Sequence, residues 1–394
     1  MLYRVLLLMV GGLFMATTAA AQISRLPHAD TTRGNAFGIS VAISGDRVLV
    51  GASGEDACGT NSGAAYVYER SDSTGLWVET ARLVAEDCRA GTFFGRSLDL
   101  DGDRAVIAAA GEFFSLTVPN AAYVFERDST GTWQQMDKLR PDPNVQEGGF
   151  ASAVSLDGDQ LLVTASGDAT DGAYGGGAYI FARQSNGLWT RQVRLESPGS
   201  LEDGIFGGTG RISGDRIAVA ASTYFQEKPG SVYLFNRNAE GEWLFEERIG
   251  GVRDFFISLD LEGDLLLVGE RKAGRRQSGR AMLYRRAEDG EWREESTMTP
   301  RKAYALGAFG SLVSLSEEHV LAAGYDEQLQ MDFNIDRVVF LFGRDPDTGQ
   351  WTQRRIVDIG EVAFGASIDH DGRYAVIGQA GDNEPGAAYV VWLP

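Results

Sequence analysis

The chain has 394 residues, with 36 Lys and Arg against 55 Asp and Glu, a formal net charge of −19. A surface this acidic repels nucleic acid and anionic membranes, so neither is expected as a partner. Fifty glycines, only ten prolines and 43% hydrophobic residues describe an ordered, turn-rich protein and exclude a disordered one.

Residues 1–21, MLYRVLLLMVGGLFMATTAAA, carry one charge, Arg4, then an apolar run, then small residues at Ala19, Ala20 and Ala21. This is the pattern of a secretory signal peptide cleaved near Ala21–Gln22. Its removal takes the net charge to −20. No later run is apolar and long enough to span a bilayer. The mature chain, 22–394, is therefore expected to be extracytoplasmic, periplasmic or secreted, with no stable membrane insertion.

From there the chain repeats. Aligned on Phe37, Phe94, Phe150, Phe206, Phe255, Phe309 and Phe364, it returns to the same pattern every 49–57 residues, the period of a propeller or solenoid. In the first unit four short segments follow one another: FGISVAI, RVLVGA, AAYVYER and LWVETARL. Each has the length and the β-branched and aromatic content of a strand. The first two are joined by SGD at Ser44–Asp46, repeated as DGD at Asp101–Asp103 and Asp157–Asp159, SGD at Ser213–Asp215 and EGD at Glu262–Asp264. Glycine there supplies the positive φ of a two-residue hairpin. A second hairpin, STGLW in the first unit, delivers Trp77 and its counterparts Trp133, Trp189, Trp243, Trp292 and Trp351 to the fourth strand. Four antiparallel strands per unit and seven units predict an all-β, seven-bladed β-propeller forming one domain over 22–394. The last unit stops at AAYVVWLP with three strands, whereas Ile23–Gly38 matches Thr80–Gly95 as a fourth strand and its exit loop. The N-terminal strand is thus expected to complete the last blade and close the ring, which removes open sheet edges.

Phe-Gly at the head of the units (Phe37, Phe94, Phe206, Phe309, Phe364) and Val-Gly-Ala after the second strand resemble the FG-GAP repeats of integrin α-subunit propellers and many bacterial secreted proteins. Phe150 is followed by Ala151 and Phe255 by Phe256, and the proline of GAP is absent, GAS at Gly51–Ser53 being nearest. The resemblance implies the propeller fold and, across the family, adhesion, ligand-binding and accessory roles on one scaffold. It also implies a Ca²⁺ loop resembling DxDxDG between the first two strands. Here that loop has shrunk to SGD or DGD, too short to supply six or more oxygens, so no metal and no cofactor is expected. Asp99–Asp101–Asp103 and Asp369–Asp371 are explained by strand alternation running into a turn.

Strand alternation puts the first-to-second and third-to-fourth turns on one rim, tight and repetitive. The second-to-third and blade-to-blade loops, variable in length, lie on the other, where binding is expected. Cys58 and Cys88 both belong to this variable rim, which in an exported chain points to a disulfide rather than two buried thiols. Blade 5 contributes GERKAGRRQSGR, with Arg271, Lys272, Arg275, Arg276 and Arg280, either a site for carboxylate or sulfate groups or a solvated loop balancing nearby acids. Phe113, Phe114, Tyr174, Tyr224, Phe225, Tyr325 and Phe333 fall on the same rim and either stack on a ligand or fill gaps between blades. Acids gather in the blade-to-blade connections at Glu86, Asp87, Glu147, Glu202, Asp203, Asp254 and Glu361. A pair facing the channel would be the acid and base of a glycosidase, and solvated loop carboxylates are the simpler reading. His28, His319 and His370 are scattered, and no nucleophile elbow, zinc-protease or phosphate-loop motif is present. The repeated Ser or Thr at Ser40, Ser97, Thr209, Ser258 and Ser367 reads as a packing position. The sequence thus favours a non-enzymatic propeller binding a protein or an acidic polysaccharide. A polysaccharide lyase or hydrolase using channel carboxylates, and a structural envelope component, are the alternatives.

Overall fold

The computed structural model describes residues 23–30, 32–111, 120–141, 149–168, 175–198, 205–222, 229–254, 257–274, 277–302, 307–325, 337–357, 365–380 and 386–393. They form seven four-stranded antiparallel sheets, each a blade, the first six with their strands in chain order from the axis outward. Blade 1 consists of Phe37–Ser44, Arg47–Ala52, Ala64–Arg70 and Trp77–Leu83, within a residue of the four segments read from the sequence. Blade 7 has Gly365–His370, Tyr374–Gln379 and Ala387–Trp392, and its fourth strand is the N-terminal Ile23–Arg25, paired Ile23 to Val391 and Arg25 to Tyr389. The ring is closed by the N-terminal strand as expected.

The apolar core lies between blades rather than within them. Phe94 packs against Ala65, Val67 and Leu83 of blade 1 and against Tyr123 and Phe125 of its own blade, the two rings edge-on at 5.5 and 6.0 Å. Phe37, Phe150, Phe206 and Phe309 are equally buried at the corresponding seams. What brings the backbones close enough is the residue after each phenylalanine. Gly95 has φ +92, and a Cβ there would run into the carbonyl oxygen of Ala64, at the start of the preceding blade's third strand. Gly38, Gly207 and Gly310 repeat this against Ala387, Gly177 and Arg280. The partner side is bare as well: Gly63 pairs directly with Phe94, and a Cβ on Gly63 would strike the Phe94 carbonyl. Only glycine takes this φ without strain and leaves this gap. Ala151, at φ 61, is the exception in blade 3.

A second set of contacts crosses each seam nearer the axis. Ser40 donates to the Gly95 carbonyl at 2.6 Å and Ser367 to Gly38 at 3.1 Å, while Ser97 and Ser258 accept the amides of Val154 and Val313. These serines are therefore hydrogen-bonding posts between blades, not packing positions as the sequence suggested. The turn side chains do the same, Ser44, Asp101 and Ser213 accepting the amides of Gly102, Gly158 and Gly263 in the next blade.

Replacing Phe94 by alanine should lower unfolding stability by about 3–5 kcal/mol, since it removes a fully buried ring shared by two blades. The urea midpoint measures this, and a loss under about 1 kcal/mol would contradict the interblade core.

Candidate functional site

Two places gather chemistry, the variable rim and the axis. On the rim, Cys58 and Cys88 are joined in a disulfide with Cα atoms 6.0 Å apart. It fixes the second-to-third loop of blade 1 to the connection leading into blade 2. Beside it a motif recurs in which a buried carboxylate holds a basic side chain from the fourth strand and a tyrosine from the third. Glu55 accepts from Tyr66 Oη at 2.6 Å and pairs with Arg82. Asp168 accepts from Tyr179 Oη at 2.6 Å and pairs with Arg194 at 2.8 Å. Burial first, and the adjacent carboxylate second, push both tyrosines far above their usual range, so they remain hydrogen-bond donors.

The predicted basic loop also roots its arginines on buried carboxylates, the arginines here coming from the loop itself and the start of the third strand. Arg271 Nε meets Asp254 Oδ1 at 2.7 Å, and Arg280 Nε meets Glu270 Oε2 at 2.6 Å, with both carboxylates 1% exposed. The two arginines are thus anchored on buried acids while their outer faces stay about a third exposed, 31% and 39%. Lys272, also in contact with neighbouring groups, lies in the same turn. Arg275 and Arg276 fall outside the described residues, as do Phe113, Phe114, Tyr174, Tyr224, Phe225 and Phe333. Tyr325 ends the second strand of blade 6, its backbone paired with Arg337. Of the acids in the connections, Asp87 accepts from Tyr123 Oη at 2.9 Å and pairs with Lys138, Asp254 is held by Arg271, and Glu86 is exposed. Glu147, Glu202, Asp203 and Glu361 lie outside the described residues.

The axis holds a cluster that the sequence reading passed over. The fifth residue after each phenylalanine anchor is Ala42, Asp99, Ser155, Arg211, Asp260, Ser314 and Asp369 in blades 1 to 7, polar in every blade but the first. Period-2 alternation turns this position away from the sheet neighbours and toward the next blade. Asp99 Oδ2 accepts the Leu156 amide, Asp260 Oδ2 that of Leu315 and Asp369 Oδ2 that of Ile43, each at 2.8 Å, and Ser155 Oγ accepts from Ile212 at 3.3 Å. Arg211 Nε reaches Asp260 Oδ1 at 3.2 Å. Together with Glu262, His370 and Asp371 these groups line a cavity of about 220 Å³. Among the described residues no three His, Cys, Asp or Glu side chains are arranged to hold a metal ion.

Three aspartates face one arginine, and the electrostatics follow from that imbalance. Burial would lower the Arg211 pKa, but Asp260, Asp99 and Asp369 more than offset it and the guanidinium stays charged. Burial raises Asp99 and Asp260, with Arg211 and the backbone amides pulling them back. Asp369 is pushed up to about 8, by burial first and then by the charges of Asp99 and Asp260. It therefore holds a proton at neutral pH. His370, lowered to about 4 by burial, is neutral. Its Nδ1 lies 2.8 Å from Ser314 Oγ and its Nε2 3.3 Å from the His319 carbonyl. That carbonyl can only accept, so Nε2 carries the hydrogen and Nδ1 accepts from the serine. His28 is elsewhere, stacked on Phe37 with ring centroids 3.8 Å apart.

The sign of the pH effect follows. Folded Asp369 keeps its proton up to about pH 8, whereas the unfolded carboxyl loses it in the ordinary acidic range, so the folded state binds more protons between the two. Stability then falls as pH rises through that window and levels off above it. Asp369→Asn cannot ionise, and its melting temperature relative to the parent chain should climb steadily from about pH 4 to about pH 8. A constant difference across that range would show that Asp369 is ionised throughout.

The FG-GAP repeat model matches residues 21–68, 77–125 and 133–181. No curated protein shows significant sequence similarity to the chain. Among solved structures the chain is similar to that of U3-55K, at 11% identity over 94% of this chain and 98% of that one with a TM-score of 0.58. It is similar to the RRP9 WD40 repeats, at 11% over 95% and 100% with a TM-score of 0.58. The periplasmic gluconolactonase PpgL of Pseudomonas aeruginosa matches at 16% over 82% and 86% with a TM-score of 0.52. At such identities the likeness concerns the fold alone. With the repeat matched in three places and its four-stranded unit carried through all seven blades, the chain is an FG-GAP repeat β-propeller.

Proposed function

We propose that this propeller works outside the cytoplasm as a binding module without catalytic activity, taking a protein or an acidic polysaccharide on its variable rim. The observation that carries the reading is the set of arginines on that rim, each rooted in a buried carboxylate: Arg82 on Glu55, Arg271 on Asp254 and Arg280 on Glu270. Such side chains present a fixed outer face, so little rotamer entropy is lost when a partner's acidic group meets them. Lys272, Arg275 and Arg276 add charge to the same loop. A Cys58–Cys88 disulfide on the rim suits an oxidising compartment. The axial carboxylates serve the ring instead, accepting backbone amides from neighbouring blades. Asp87 and Asp254 are likewise held in ion pairs, which argues against them as an acid and base pair.

The test is binding of the mature protein to uronic-acid and sulfated polymers across a salt series. Converting Arg271, Lys272, Arg275 and Arg276 together to glutamine should weaken binding at least about tenfold and flatten its salt dependence. Unchanged affinity would remove this loop from the site. Cleavage of a bound uronic-acid polymer would replace the binding reading with a lyase or hydrolase.

A further inference from the structure

The hairpin rim, opposite the variable one, carries an ion-pair lattice at the seams of blades 1–2 and 2–3, kept in part between blades 4 and 5 and inverted in charge between blades 5 and 6. At the seam between blades 1 and 2, Arg47, the first residue of a second strand, reaches Asp103 in the next blade's turn at 3.2 Å and Glu69 on its own third strand at 3.3 Å. Arg127, from the next blade, closes the lattice on Glu69 at 2.9 Å. Blades 2 and 3 repeat it with Arg104, Asp159, Glu126 and Arg183. Blades 4 and 5 keep the Arg216–Asp264 link at 2.6 Å.

Between blades 5 and 6 the corresponding positions read Leu265, Arg285, Glu318 and Arg344. Leucine cannot reach the turn acid, and arginine stands where Glu69 and Glu126 stand, facing a second arginine. Arg285 and Arg344 both turn away to Glu295. Gly343 further removes a side chain from the wall. The seam opens into a recess of about 950 Å³, at the upper end of the range for small-ligand and peptide pockets.

Its charges are sorted by radius. Strand order places Glu262 on the first strand of blade 5, and Glu317 and Glu318 in the first turn of blade 6, both toward the axis. Arg285, Arg344 and Arg354, on third and fourth strands, line its outer part. The remaining acids are engaged: Asp264 by Arg216, and Asp345 by the amides and hydroxyl of its own turn. Glu317 and Glu318 are exposed, and two arginines share the one carboxylate of Glu295.

We propose that the recess between blades 5 and 6 binds a peptide segment carrying a basic and an acidic side chain a few residues apart, the basic group toward the axis. The inner glutamates receive the cation and the outer arginines the carboxylate. This site is independent of any ligand on the variable rim.

The test is selection of a displayed library of randomised seven-residue peptides on the full mature chain, followed by affinity measurement on variants. L265R restores the arginine found at three other seams and should close the recess onto Glu318. Q160R adds the same charge at the equivalent position of blade 3 and is the control. Selected peptides should pair a Lys or Arg with an Asp or Glu, lose at least about tenfold affinity on L265R, and bind Q160R like the parent chain. The double variant E317Q/E318Q, altering two exposed turn residues, should show a comparable loss. Peptides that bind L265R and E317Q/E318Q as well as the parent, or a selection that yields none dependent on these residues, would overturn the proposal.

Discussion

The close approach of neighbouring blades at Phe-Gly is the constraint on which the rest of the molecule depends. A phenylalanine ring fills the wedge between two sheets, and the glycine after it lets the chain turn against the bare start of the preceding third strand. Neither residue suffices alone. The ring supplies apolar area, but only backbone-to-backbone contact brings the axial ends of two blades within hydrogen-bonding reach. Blade 1 meets blade 7 in the same way, Gly38 against Ala387 and Gly386 against Phe37, so ring closure needs no contact absent from the other seams.

Once the first strands are drawn to the axis, a narrow channel follows, and side chains facing it must find partners there. The molecule satisfies them by letting Asp99, Ser155, Asp260 and Asp369 each accept a backbone amide of the next blade, while Arg211 donates to Asp260 and Ser314 meets His370. Three of these residues are aspartates around the single Arg211, so the ring carries more acid than base, and Asp369 relieves the excess by keeping its proton. The acidity is thus a by-product of a seam that needs acceptors. On the variable rim, by contrast, carboxylates are buried beneath arginines and tyrosines, and the basic groups face outward.

The fold was legible because its signals are local and repeated. Phe-Gly, the hairpin glycines and the tryptophan of the fourth strand recur often enough to fix blade number and strand order, and the match of Ile23–Gly38 to Thr80–Gly95 was enough to place the N-terminal strand. The axial ring was equally written in the chain, as one polar column five residues after six of the seven phenylalanines, but a column of Asp, Ser and Arg has no recognisable motif. Its meaning depends on which backbone amide lies opposite, a contact between residues 55–57 apart or, for Asp369 and Ile43, 326 apart. The serines of the first strand were misread for the same reason, since alternation says which way a hydroxyl points and not what it meets. Arg271 and Asp254 illustrate the limit on the rim: the loop's charge was visible, while the buried acid beneath it came from another connection.

A propeller of this kind offers two rims and a plugged axis. Its central claim is that the seam joining the chain's two ends is held by the same axial amide-to-side-chain bond as the seams between blades 2 and 3, 3 and 4, and 5 and 6. Native-state hydrogen exchange of the Ile43, Leu156, Ile212 and Leu315 amides tests this directly. The structure predicts that all four exchange only through global unfolding, with one common free energy. An Ile43 amide exchanging far faster than the other three would show that blade 7 and blade 1 part on their own, and would contradict a uniformly closed ring.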